Sequence, residues 1–290
     1  MSASEFLAPQ SVDQAVEILQ KANGDAAVLA GGTDLLVQLK NGIRRPRIIV
    51  DIKRIPELSA LELAESGLRL GAALASAKLN RNSEIKAAYP GLVEAADLIG
   101  SSQIQGRASV GGNLCNGSPA ADTVPALAAL NATCRIAGPS GFREVPVAEF
   151  TTGPGQTVLA PGEFLVDFQI DARPARSSDA YLRFIPRTEM DIAVVGAGVA
   201  LTLDEAGNCT QASVALGAVA PTVISVPAAA SALIGSSLDD AALAQAASAA
   251  SDAAAPIDDK RGTVAFRKHV AGVLVKRAAK IAAGRAVERN

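Results

Sequence analysis

Two glycine pairs, Gly31-Gly32 and Gly111-Gly112, stand 80 residues apart, and each sits beside sequence that reads as helix. The first closes the apolar run 26–30 and leads straight into a helical segment over 33–40, so Leu29, Ala30, Gly31, Gly32, Thr33, Asp34 and Leu35 form one strand–turn–helix. Glycine there can take positive φ and let backbone approach a ligand closely. The helix start behind it presents free N–H groups to an anion such as a pyrophosphate, with the Thr33 hydroxyl as a further donor. The same residues also suit a bare turn in which Thr33 or Asp34 is the N-cap.

The second pair lies in residues 106–123, a run of small and polar residues whose Gly- and Asn-rich part, 106–119, reads as a loop and which carries Asp122 just before a helix. Ser109 and Asn113 flank the glycines. Long ordered loops are usually functional, and two such loops suggest two walls of one nucleotide site. Residues 194–201 imitate the start of a dinucleotide fingerprint, but Leu201 replaces the third glycine and a β-rich run follows, so they read as a buried strand.

Organisation along the chain divides at about 55 and at 176. Residues 1–55 read as a compact α/β unit, with a helix capped by Ser11 and a strand over 47–52. In 56–176 short strands alternate with helices over 78–88 and 91–99, then strands over 133–137 and 163–170. The polar stretch 174–178 reads as a linker. Residues 177–290 read as an antiparallel sheet with a hairpin turn over 204–208, closed by helices over 238–254 and 263–286.

Composition narrows the chemistry. The chain has 290 residues with one His, three Cys and no Trp. Cys115, Cys134 and Cys209 are too scattered for a four-ligand zinc site or an iron–sulfur cluster. His269 would have to carry any triad alone, and between Lys268 and Val270 it reads as a surface or subunit-contact residue. Cys115 reads as a packing residue, and Lys260, Arg261, Arg267 and Lys268 as a solvated helix face. No metal site and no catalytic side chain is expected. A net charge of −2 argues against nucleic-acid binding. The purest apolar run, 192–203, falls short of the ~20 residues that span a bilayer, so no membrane insertion is expected. An N-terminus without basic or apolar leader regions and unpaired cysteines points to the cytoplasm.

Ala30 to Leu36 (AGGTDLL) and Ser109 to Thr123 (SVGGNLCNGSPAADT) together resemble the medium, FAD-binding subunit of the molybdenum hydroxylases, the group of xanthine dehydrogenase and aerobic carbon monoxide dehydrogenase. The similarity continues through 187–193 and 261–267. It implies an α+β chain: an FAD-binding fold of the vanillyl-alcohol oxidase (PCMH) type in two subdomains, followed by a C-terminal α+β domain. It also implies noncovalent FAD, with Leu29 to Leu35 around the pyrophosphate and Ser109, Gly111, Gly112 and Asn113 on the opposite side. Asp122 would accept from the cofactor hydroxyls, Leu165 would lie by the adenine, and Arg183 and Ile192 would border the isoalloxazine. Many members read Ile-Arg-Asn before the second glycine pair, whereas Gln105 and Gly106 follow Ile104 here, which leaves the pyrophosphate one cation fewer.

By the same resemblance the chain is an electron-transfer subunit. FAD would take electrons from a [2Fe-2S] small subunit and give them to an external acceptor, and the molybdenum cofactor would sit in a large subunit, the whole a dimer of heterotrimers. Two other readings stay open: a stand-alone FAD-dependent oxidase or reductase of the same superfamily, and a non-catalytic nucleotide-binding assembly module.

Overall fold

The computed structural model describes residues 4–289, arranged as three main sheets used in chain order and one small two-stranded ribbon. In the first, β1 (Glu5–Leu7), β2 (Ala26–Leu29) and β3 (Ile48–Asp51) lie parallel in the order β1-β3-β2. Parallel strands need crossovers. Helix α1 (Val12–Ala22) provides one: Ser11 caps it by accepting the Gln14 N–H at 3.2 Å, and Val12, Ala15, Leu19 and Ala22 bury one face. Helix α2 (Leu35–Lys40) starts two residues later than the sequence suggests. Asp34 holds its N-cap position without a side-chain capping bond, and none of its residues is buried.

The second sheet is antiparallel, in the order β4-β5-β10-β6-β7. It comprises β4 (Leu61–Ala64), β5 (Gly67–Gly71), the hairpin β6 (Thr133–Gly138) and β7 (Gly141–Pro146), and β10 (Phe164–Asp171). Helices α3 (Ser76–Arg81), α4 (Ser83–Ala88), α5 (Pro90–Asp97), α6 (Ser102–Gln105), α7 (Val110–Cys115) and α8 (Thr123–Ala129) lie between β5 and β6, while α9 (Val147–Phe150) precedes the ribbon of β8 (Thr151–Gly153) and β9 (Gln156–Thr157). The single helix expected over 78–88 is broken at Asn82, which is extended and caps α4 by accepting the Ile85 N–H at 3.0 Å. The loop expected over 106–119 contains α7, because Ser109 caps it through the Gly112 N–H at 3.0 Å. On the central strand, the fully buried Asp167 is paired with Arg69 on β5 at 2.8 Å and with Arg135 on β6. A lone carboxylate there would be prohibitive, so the two guanidinium groups tie three strands together.

The third sheet is antiparallel in the order of its strands: β11 (Ser177–Phe184), β12 (Val195–Leu203), β13 (Cys209–Gly217) and β14 (Ile224–Ser225). The fingerprint-like run is strand β12, paired on both sides. A Cβ on its Gly198 would lie 2.4 Å from the Pro125 carbonyl oxygen, so this glycine lets α8 rest on the strand. Helices α10 (Pro227–Leu233), α11 (Asp240–Ala253) and α12 (Val264–Glu288) complete the chain. Gly272 of α12 lies against α11, where a Cβ would meet the Ala247 carbonyl oxygen at 2.6 Å. Small residues thus give the Ala-rich α11 a close partner.

Two local expectations change. Ser177 and Ser178, read as linker, are buried in β11. Arg267, read as part of a solvated face, is buried and donates to the Gly262, Val194 and Ala218 carbonyls and to Asp259. The helices of the second sheet and the third sheet meet along a polar seam. Asp179 accepts from Arg173 at 2.6 Å and from the Leu92 N–H at 3.1 Å, Glu94 accepts from Arg285 and from the Tyr181 N–H, and Arg289 donates to the Ala88 and Ser177 carbonyls. Among the described residues no helix is long and apolar enough to cross a membrane.

Gly198→Val tests the α8–β12 contact. A side chain driven into helix backbone should cost about 1–3 kcal/mol in urea unfolding, and an unchanged midpoint would contradict the close packing.

Candidate functional site

A cavity of about 430 Å³ lies where three segments converge: the turn after β2, the start of α7, and residues 157–165 leading into β10. That is within the roughly 300–1,000 Å³ of small-molecule sites. Eleven of the residues singled out in the sequence line it: Ala30, Gly31, Gly32, Thr33, Asp34, Leu35, Ser109, Gly111, Gly112, Asn113 and Leu165.

The glycines bring these segments together. A Cβ on Gly31 would stand 2.1 Å from the Arg107 carbonyl oxygen, and one on Gly111 would stand 2.4 Å from that of Ala72. Both positions are therefore closed to any side chain without moving backbone. Gly32 has φ +79°, in the left-handed region. So the first pair divides its work: one glycine touches the second loop, and the other turns the chain into α2. Side chains add further ties. Lys53 donates to the Ala30 carbonyl at 2.9 Å while paired with Asp51 at 2.6 Å, which fixes the end of β2. Gln38 donates to Asn116 at 3.1 Å, and the Asn116 amide donates to Asp34 at 3.4 Å, joining the loops across 82 positions of sequence. Asn113 accepts from the Thr123 N–H and hydroxyl at 3.2 and 2.7 Å, locking α7 to α8.

This arrangement leaves donors facing no protein acceptor. Among the described residues, the backbone N–H groups of Gly31, Gly32, Thr33 and Asp34 in the first loop, and of Gly111 in the second, have no hydrogen-bond partner. Buried N–H groups are normally satisfied. Gly31 and Gly111 are buried and line the cavity, so the donor set fits a ligand bearing acceptor oxygens, such as the diphosphate of a dinucleotide cofactor. The walls otherwise offer little reactive chemistry. Burial pushes the Cys115 thiol up to about 12, which makes it inert. Glu163 is held below the usual carboxylate range first by its hydrogen bonds from Arg143, at 2.7 and 2.6 Å. Among the described residues no cluster of His, Cys, Asp or Glu could hold a metal.

Four of the sequence-derived residues lie off this wall. Leu29 is packed in the core at the end of β2, and Ile192 is 53% exposed in the segment between β11 and β12. Asp122 and Arg183 sit at the seam, where one Asp122 oxygen accepts from the Tyr181 hydroxyl at 2.9 Å and the other from Arg183 at 2.7 Å. Burial raises the Asp122 carboxyl to about 6, against the opposing pull of Arg183 and Tyr181. The buried Nε of Arg183 has no partner among the described residues. Sequence reasoning missed Gln38, Arg44, Lys53, Asn116 and most of the third wall. The Pro161-Gly162 turn before β10 was the one local signal for that wall.

Residues 2–171 match the family described as "FAD binding domain in molybdopterin dehydrogenase", and residues 180–282 match "CO dehydrogenase flavoprotein C-terminal domain". The carbon monoxide dehydrogenase medium chain of Hydrogenophaga pseudoflava is 34% identical over 94% of this chain and 95% of its own length. The xanthine dehydrogenase FAD-binding subunit of Escherichia coli O157:H7 is 39% identical over 70% of each. In structure, a chain of reconstituted CO dehydrogenase from Oligotropha carboxidovorans superposes with a TM-score of 0.93 at 31% identity, over 98% of this chain and 99% of that one. The α+β fold, with its PCMH-type FAD-binding part followed by a C-terminal domain, is the one the resemblance implied.

The seam carboxyl gives a pH prediction. Because the folded Asp122 binds its proton more tightly than the unfolded chain does, its contribution to stability is fully present below about pH 4 and is lost as pH rises through about 6. Urea unfolding should therefore show a loss between pH 4 and 7, about 3 kcal/mol, that Asp122→Asn removes. Identical pH profiles would exclude a buried, proton-binding Asp122.

Proposed function

The chain belongs to the FAD-binding medium-subunit family of the molybdenum hydroxylases, and from that premise we propose that it holds FAD noncovalently between its two glycine loops. It passes electrons from a [2Fe-2S] small subunit through the flavin to an external acceptor, while a molybdenum-binding large subunit carries out the substrate chemistry. Such an assembly is a cytoplasmic dimer of heterotrimers in which residues 1–55 and 56–176 hold the cofactor and residues 177–290 form the C-terminal domain. The observation that carries this reading is the pair of facing loops whose backbone N–H groups lack protein acceptors.

Flavin supplies the redox chemistry when bound, and the protein supplies binding, orientation and electrostatics. The Gly31, Gly32, Thr33 and Asp34 N–H groups would donate to diphosphate oxygens, and the Thr33 hydroxyl, 3.5 Å from an Asp34 carboxylate oxygen, would turn to add a further bond. The Ser109 hydroxyl already accepts from Gly112, so its own proton is free to donate to the cofactor. The Asn113 oxygen is spent on Thr123, which leaves its amide N–H groups for the cofactor. Asp122 fixes Tyr181 and Arg183 through one bond to each oxygen, and each oxygen keeps a lone pair with which it would accept from the cofactor's hydroxyls. None of these side chains has to act as nucleophile or general base.

Purified chain should be yellow and should release FAD on denaturation; a folded, colourless chain that cannot be reconstituted would defeat the reading. Gly31→Ala forces the loops apart at the Arg107 carbonyl and should weaken FAD binding about tenfold or more with helix content unchanged. Co-expression with both partners should return three subunits in equal amounts, and isolation of the chain always alone would argue for a stand-alone flavoprotein.

A further inference from the structure

Resting on the FAD reading, one residue of the cavity wall has no part yet. Arg44 follows α2 in a turn folded back by the Ile43 and Arg44 N–H groups, which both donate to the Gln38 carbonyl, at 2.9 and 3.4 Å. It lines the cavity and is its one cationic side chain among the described residues. Both Arg44 and Arg107, the cation on the second loop, are exposed, but Arg107 lies off the wall. The two carboxylates of the wall do not claim Arg44. Glu163 is paired with Arg143, and Asp34 accepts from Asn116. Arg44 itself makes no ion pair or side-chain hydrogen bond with the described residues.

A dianionic diphosphate entering this cavity would meet backbone donors and a wall whose only uncompensated carboxylate is Asp34. Backbone N–H groups supply direction but no net charge, and a planar guanidinium pairs with phosphate oxygens in two-point fashion. We propose that Arg44 is the countercharge for the cofactor's diphosphate, which makes it a binding residue that selects dinucleotides over uncharged nucleosides. The neighbouring arginine does not share the role: Arg45 lies against Gly42 and off the cavity wall.

The test is equilibrium binding to the deflavinated full-length chain, with FAD titrated directly and ADP and adenosine as competitors. Arg44→Ala should weaken FAD and ADP by about tenfold and adenosine little, and the salt dependence of FAD binding should flatten. Arg44→Lys should stay within about threefold of the parent, since a point charge replaces part of the fork. Unchanged FAD and ADP affinity in Arg44→Ala, or equal losses for ADP and adenosine, would overturn the assignment while leaving the FAD site standing. Failure of the folded parent chain itself to bind FAD would overturn both.

Discussion

The contact on which the site depends is between two pieces of main chain. Gly31 lies against the Arg107 carbonyl at a distance no side chain permits, and Gly111 lies in the same way against Ala72. These contacts bring the parallel sheet of residues 5–51 against the helices of the antiparallel sheet that follows. Backbone that approaches this closely cannot be shielded by side chains, so its polar groups stay available. The unpaired N–H groups of both loops are thus a by-product of the packing, and the cavity between them attracts anions without holding any reactive residue.

Around that contact the protein has spent its charged residues on scaffolding. Asp167 binds β5, β10 and β6 through two arginines, Lys53 pins the end of β2, and Arg267 gathers three carbonyls and Asp259 beneath the third sheet. The seam between the cofactor half and the C-terminal half is polar in the same way, through Asp179, Glu94, Arg285, Arg289 and the Asp122–Tyr181–Arg183 group. Each buried charge has a partner of opposite sign, so the pieces meet in one register. A chain with one His and three buried or inert Cys can serve redox work on these terms, since its own side chains need only hold and orient.

Much of this was legible in advance because it is local. Glycine pairs, the Ser11 cap, the 204–208 turn and the β12 run all follow from neighbouring residues, and the structure places them where the pattern does. What could not be read depends on distant partners. Nothing local shows that Gly31 must be bare because of Arg107, that Asn113 spends its oxygen on Thr123, or that residues 157–164 form a third wall. Asn82 is a case of two local signals in competition, since helix-forming neighbours predict one helix while its own capping tendency breaks it. Arg267 looked solvated because its sequence neighbours are basic, although its acceptors lie as far as 73 residues away. Asp122 and Arg183, grouped with the cofactor by resemblance, lie together at the seam.

The seam also governs how the molecule looks to light. The chain has no Trp and two Tyr, and both tyrosines are buried along this junction. Tyr89 holds the N-cap position of α5, beside the Arg173 guanidinium, while Tyr181 on β11 donates its hydroxyl to the Asp122 carboxylate. The protein's intrinsic near-ultraviolet absorbance and emission therefore come almost wholly from the junction between its two halves. Any colour at longer wavelength has to belong to something the chain carries, so one spectrum separates the state of the scaffold from the state of its cargo.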